Sequence, residues 1–221
     1  MATQQPASER DVVEKTLKWI QDNRRFLIGV AAVLVVAAGG VWFAVSARQR
    51  REAFAARSLG TARTAAQSGN LPLAASDLTR LIDSYGGTTA ADEAVVMLAQ
   101  VRLLQEQPQE AVTVLERALE TGLDEQFESA ALGLLGAALE DLDRMSDAGQ
   151  AYERAAQASW YEFLAAQYLI DAGRAHWSAG DTAAAVAAYQ RIVNEFPESP
   201  SALEAKVRLG ELTRAGVGTA S

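Results

Sequence analysis

From residue 52 onward, small and large apolar positions recur at a fixed interval along the chain. Ala74, Ala111, Ala148 and Ala185 stand 37 residues apart. Four residues after each comes a large side chain: Leu78, Leu115, Tyr152 and Tyr189. Three further on come Leu81, Ala118, Ala155 and Ile192, and twelve before each alanine lie Ala62, Ala99, Gly136 and Gly173. One more period leads to Gly210, preceded by Leu209. The interval is that of a repeat built from two antiparallel helices. The small residue in the first helix lets its partner approach, and the large residue in the second fills the gap. One such pair cannot bury its apolar face alone, so stacking supplies the core.

The pattern predicts helices over about 48–68, 72–85, 90–106, 108–121, 124–142, 146–157, 161–179, 181–195 and 199–215. Turn chemistry marks the joints: Gly69-Asn70, Gly86-Gly87, Gly122, and Gly180-Asp181 as a helix stop followed by an N-cap. Pro108 opens a helix in its first turn, where proline is tolerated. Ser199 or Ser201 is the expected cap of the last helix. The fold class is therefore all-α: about four helix pairs and a capping helix over 48–216, with a frayed tail at 217–221.

The N-terminal quarter has a different pattern. Between Arg25 and Arg48 lie twenty-two uncharged residues, 26–47. As a helix they extend roughly 33 Å, against a hydrocarbon core of about 30 Å. Arginines flank both ends, and Trp42 and Phe43 sit where interfacial aromatics belong. The expectation is an uncleaved transmembrane helix, preferred over a cleaved signal peptide because the apolar run is too long and about 25 residues precede it. The basic residues on the two sides tie, so charge does not set its direction. Ala37, Gly40 and Ala44 form a small-residue stripe that would let another membrane helix approach. Before it, residues 1–25 form an N-terminal tail in which Val12, Val13, Leu17 and Ile20 share one stripe. That stretch reads equally as a solvated turn or as a docking helix.

Composition narrows function. The net charge of -8 hides an asymmetry: residues 1–51 carry eight basic and four acidic side chains, the rest twelve and twenty-four. An acidic body argues against nucleic acid, which needs a basic surface. There is no cysteine and only one histidine, His176, so a common zinc site or a Cys–His pair is excluded. No metalloprotease, P-loop or dinucleotide fingerprint occurs, and Glu140, Asp141 and Asp143 lack EF-hand spacing. The reading is of a protein that is not an enzyme, takes no cofactor or metal and no small-molecule substrate, and binds other proteins.

The repeat resembles the tetratricopeptide family. Leu169, Gly173, Gly180, Ala185, Tyr189 and Pro197 stand at the family's intervals, as do Leu132, Leu135, Gly136, Ala148, Tyr152 and Ala155. The first two units depart from it, with Ala62 and Ala99 in place of glycine, and the period is 37 rather than the usual 34. The resemblance implies peptide binding on a concave face lined by the first helix of each pair. Carried across, it points to Val96, Gln100, Leu103, Ala137, Glu140, Gln167, Ile170, Arg174 and Trp177. Arg174 and Trp177 share a helix face and are the pair best suited to a protein contact.

The whole layout is also similar to the ancillary SecYEG translocon subunit family. The similarity runs through Asp11-Val12-Val13-Glu14, Lys18-Trp19-Ile20, Asn23-Arg24-Arg25 and Gly39-Gly40-Val41-Trp42. It implies a single-pass protein of the bacterial inner membrane, N-terminus in the cytoplasm and repeats in the periplasm. Its partners would then be the Sec translocon, periplasmic chaperones or exported chains. A scaffold for division or outer-membrane assembly is the alternative, and a receptor with its repeats in the cytoplasm is a third.

Overall fold

The computed structural model describes residues 7–218, and the side-chain surroundings of all of these except 7–11, 13, 27, 28, 30–34 and 215–218. The described residues form ten α-helices. They are α1 (Ala7–Asp22), α2 (Arg24–Gln67), α3 (Leu71–Tyr85), α4 (Thr89–Leu104) and α5 (Pro108–Thr121), then α6 (Glu125–Glu140), α7 (Met145–Ala158), α8 (Glu162–Ser178), α9 (Thr182–Glu195) and α10 (Pro200–Gly218). The chain divides into two compact units at Arg50, inside α2.

In the first unit, α1 leaves Val12, Leu17, Trp19 and Ile20 exposed on one stripe. It ends where both the backbone N–H and the side-chain amide of Asn23 donate to the Trp19 carbonyl. Val13, expected on that stripe, lies outside the residues whose side chains are described, and 219–221 of the expected tail lie outside the described residues altogether.

Among the described residues no helix is long and apolar enough to cross a membrane. This corrects the expected transmembrane helix at 26–47. It equally corrects the placement in the bacterial inner membrane with a cytoplasmic N-terminus and periplasmic repeats. A span needs roughly 20 consecutive, predominantly apolar residues, and no helix supplies such a stretch among the described residues. Leu27, Ile28 and residues 30–34 of the expected span lie outside the residues whose side chains are described. Ala37, Gly40 and Ala44 lie exposed on α2, and their proposed contact within a membrane loses its basis with the span.

The second unit is the stack of pairs that the interval predicts. Its first pair combines the last part of α2 with α3, burying Ala55, Leu59, Ala62 and Ala65 against Ala74, Leu78 and Leu81. The pairs α4/α5, α6/α7 and α8/α9 follow, and α10 packs on α9 and α8. Core clusters span neighbouring pairs, so no pair is buried by itself.

The small–large rule has an atomic basis. A Cβ placed on Gly136 would lie 2.6 Å from Cε1 of Tyr152, and one on Gly173 would lie 2.5 Å from Cε1 of Tyr189. Where the opposing residue is Leu78 or Leu115, the small position holds Ala62 or Ala99, all four fully buried. Glycine therefore appears where a tyrosine ring must lie flat on the helix, and alanine where leucine suffices.

The turns keep the same register. Gly69, Glu106, Asp143 and Gly180, again 37 apart, all have positive φ, between 57° and 83°. The turn inside every pair thus needs one left-handed residue, supplied by glycine twice and by a side chain at a steric cost twice. The expected cap is realised at Asp181, whose side chain accepts from Ala184 N, and Asn70 at the first turn likewise caps α3 by accepting from Leu73 N. Thr88 and Asp124 cap α4 and α6. Helix α4 is capped a second time from a distance, because the Glu52 carboxylate accepts from Thr89 N and Ala90 N at 3.1 and 3.0 Å. Ser199 precedes Pro200 at the start of α10, but its hydroxyl makes no hydrogen bond.

Candidate functional site

The residues expected to bind partners fall on α4, α6 and α8. Gln100, Gln167, Arg174 and Trp177 are exposed, with Trp177 at 41%. Val96 and Leu103 are half-buried against the central core, and Ala137 is half-buried beside it. Ile170 is 5% exposed within the C-terminal core and offers no surface.

Glu140 and Arg174 are brought together. The Arg174 guanidinium donates to both Glu140 carboxylate oxygens, at 2.8 and 3.2 Å, and to Asp171 Oδ1 at 3.2 Å. Tyr152, reaching in from α7, donates to Glu140 Oε2 at 3.1 Å. Two parallel charge-assisted bonds fix the guanidinium plane, so this arginine ties α6 to α8. Burial works against the Arg174 charge, but its bonds to Glu140 and Asp171 outweigh it and hold the pKa above the ordinary value. Burial raises the Asp171 carboxyl despite the arginine. The Tyr152 phenol is pushed well above its usual range by burial and then by the Glu140 charge. The Arg174 side chain is thus already engaged, one turn before the exposed Trp177.

His176 lies 5% exposed under Gly149, where a Cβ would sit 2.6 Å from its ring, and its Nε2 is 3.2 Å from Glu153 Oε1. This is close packing with one polar partner. Among the described residues no group of three or more His, Cys, Asp or Glu side chains could hold a metal ion.

Two further features were not read from the sequence. Trp160, Tyr161 and Phe163 stand exposed at the α7–α8 joint, at 68, 61 and 65%. The signal was present, as three aromatics within four residues at a turn. The other is a groove of about 580 Å³ among α3, α4 and α5. Ile82, Val95, Leu98 and Val114 line it, with Arg102 paired to Glu110 at its rim.

A family profile described as a tetratricopeptide repeat-like domain matches residues 17–214. The chain belongs to that family. Among solved structures, a crystal structure of MamA aligns with a TM-score of 0.55 at 18% identity, covering 70% of this chain and 84% of that one. A second crystal structure of MamA protein gives 0.54 at 18%, covering 72% and 86%. A structure from the functional characterization of Pseudomonas aeruginosa pilF gives 0.49 at 16%, covering 70% and 66%. At these identities the likeness is one of fold. A comparison with curated proteins finds no match. The fold makes the chain a protein–protein interaction module of a type that is typically a non-catalytic scaffold.

Proposed function

We propose that the chain is an adaptor for protein export: it holds a segment of a translocon subunit, a chaperone or an exported chain along α4, α6 and α8, chiefly at Gln100, Gln167, Arg174 and Trp177. The observation that carries this reading is Trp177, large, half-exposed and set beside an arginine whose position is locked by Glu140 and Asp171. A tryptophan beside an arginine is the composition of an energetic anchor at protein contacts. The export context rests on the resemblance of Asp11-Val12-Val13-Glu14, Lys18-Trp19-Ile20 and Asn23-Arg24-Arg25, ahead of the repeats, to the ancillary translocon subunits. The acidic body is compatible with transient contact to basic or unfolded segments.

The test replaces Trp177 with a photo-crosslinking amino acid in the full chain, in cells, with exposed Leu73 on α3 replaced as the comparison. The expected outcome is crosslinks from position 177, few from position 73, to translocon subunits, chaperones or chains in transit. Equal crosslinking from both positions would overturn the docking face. Crosslinks from 177 to division or assembly proteins alone would overturn the export context.

A further inference from the structure

The 37-residue register gives each first helix three positions directed at the rest of the stack. On α6 these are Ser129, Gly133 and Gly136; on α8 they are Ala166, Ile170 and Gly173. All are covered. The Ser129 hydroxyl donates to the Ala155 carbonyl of α7 at 2.9 Å. Gly133 lies under the Tyr168 ring, and Ala166 and Ile170 sit in the C-terminal core. Gly136 and Gly173 hold the rings of Tyr152 and Tyr189.

On α10 the same three positions are Leu203, Val207 and Gly210. Leu203 is 72% exposed and Val207 53%. A Cβ on Gly210 would meet only Arg214 Nη2, at 3.9 Å. The other side of α10 is occupied, with Ala202, Ala205 and Leu212 buried in the core. Helix α10 therefore carries the receiving half of a contact this chain makes twice already, and among the described residues no helix supplies the other half.

We propose that the Leu203–Val207–Gly210 face of α10 is a docking site for a helix of a partner protein that carries a tyrosine four residues after a small residue. The occupant's chemistry follows from continuity with the two completed contacts. In both, the arriving helix presents Ala-x-x-x-Tyr (Ala148 and Tyr152, Ala185 and Tyr189) and lays the ring on the glycine. In an extended peptide those two side chains share a face but stand about 13 Å apart, whereas one turn of helix brings them to about 6 Å, the separation the two completed contacts use. This surface is separate from the exposed residues of α4, α6 and α8, and it stands or falls independently of the export reading.

The chain itself supplies the probe. A fluorescent peptide copying residues 181–196 is held helical by a staple between positions 183 and 187, both exposed on α9, and titrated onto the full chain. Saturable binding is expected, weakened at least tenfold when the peptide carries Tyr189→Ala. In the protein, Gly210→Ala is the decisive variant. It fits the free chain without a clash and should leave its melting temperature unchanged or higher. Yet its methyl group would meet the incoming ring at the distances found at Gly136 and Gly173, so binding should fall at least tenfold. Leu203→Asp should weaken binding similarly. No binding of the stapled peptide, or binding indifferent to both Tyr189→Ala and Gly210→Ala, would overturn the proposal. Self-association of the chain in sedimentation that Gly210→Ala abolishes would overturn it in favour of a second copy as the occupant.

Discussion

Replacing Gly136 with alanine tests the packing rule of the repeat most sharply, because two opposing terms can be weighed. In a helix interior alanine is favoured over glycine by about 1 kcal/mol, so propensity alone predicts stabilisation. Against this, the new Cβ would lie 2.6, 2.7 and 2.8 Å from Cε1, Cδ1 and Cζ of Tyr152. Packed carbons keep about 3.5–4.0 Å, so ring or helix must move by roughly 1 Å. The ring has little freedom to do so, because its hydroxyl is tied to Glu140. Overpacking of this kind costs about 1–3 kcal/mol beyond what the site can relax. With clashes to three ring atoms the upper part of that range applies, leaving a net loss of about 1 kcal/mol or more. For a domain of this size that lowers the melting temperature by about 2–4 °C per kcal/mol. The remedy is written elsewhere in the chain, in the pair Ala99 and Leu115. Tyr152→Leu should therefore rescue Gly136→Ala. In a double-mutant cycle followed by circular dichroism during denaturation, the two changes should couple favourably by at least about 1 kcal/mol. A Gly136→Ala variant as stable as the parent, or strict additivity of the pair, would refute the small–large rule.

Four further predictions follow from the same geometry. Glu106→Gly should raise stability by about 1 kcal/mol, since a left-handed glutamate at φ 58° carries a steric cost that glycine lacks, and Asp143→Gly should gain less because aspartate tolerates that region better; chemical denaturation reads both. Glu52→Ala should cost about 1 kcal/mol by uncapping α4, seen as faster amide exchange at Thr89 and Ala90. Asp171 has a folded-state pKa raised above 3.8, mainly by burial, so its contribution to stability is fully present below the unfolded value and is lost as pH rises through the folded one. The stability of the parent relative to Asp171→Asn should therefore increase as pH falls toward 4, and an unchanged difference would count against the assignment. The phenols of Tyr152, Tyr168 and Tyr189 are all raised above 10, chiefly by burial, so the unfolded chain ionises first and stability should fall as pH climbs beyond 10, with tyrosinate absorbance rising together with unfolding.

The helices of the second unit were legible because one interval carries both packing and turns. The alanine at Ala111 and the residues four after and twelve before it report the same close approach from two sides. The positive-φ turn was visible only where glycine supplies it, at Gly69 and Gly180. At Glu106 and Asp143 the backbone adopts the same conformation under tertiary constraint, and residue type conceals it. The proposed binding face was half legible. Helical spacing correctly put Arg174 and Trp177 on one side of α8, but it could not reveal that Glu140, 34 residues earlier, occupies the guanidinium. Ile170 shows the converse limit: its place on a helix is set by spacing, whereas its burial depends on which neighbours arrive. The expected membrane span shows another. The uncharged run over 26–47 predicts a span, whereas among the described residues no helix is long and apolar enough to cross a membrane. The groove among α3, α4 and α5 arises between helices, and no single segment encodes it.

Because the chain contains no cysteine, each cysteine introduced into it is a unique reporter, and this permits the most direct test of the central claim. Single cysteines at Gln100, Gln167 and Trp177, with comparison sites at Leu73 and Thr113, can be alkylated in the full chain with and without the partner recovered by crosslinking. The account predicts at least tenfold slower alkylation at positions 100, 167 and 177 in the complex, with little change at 73 and 113. Equal protection at all five positions, or protection confined to 73 and 113, would contradict it.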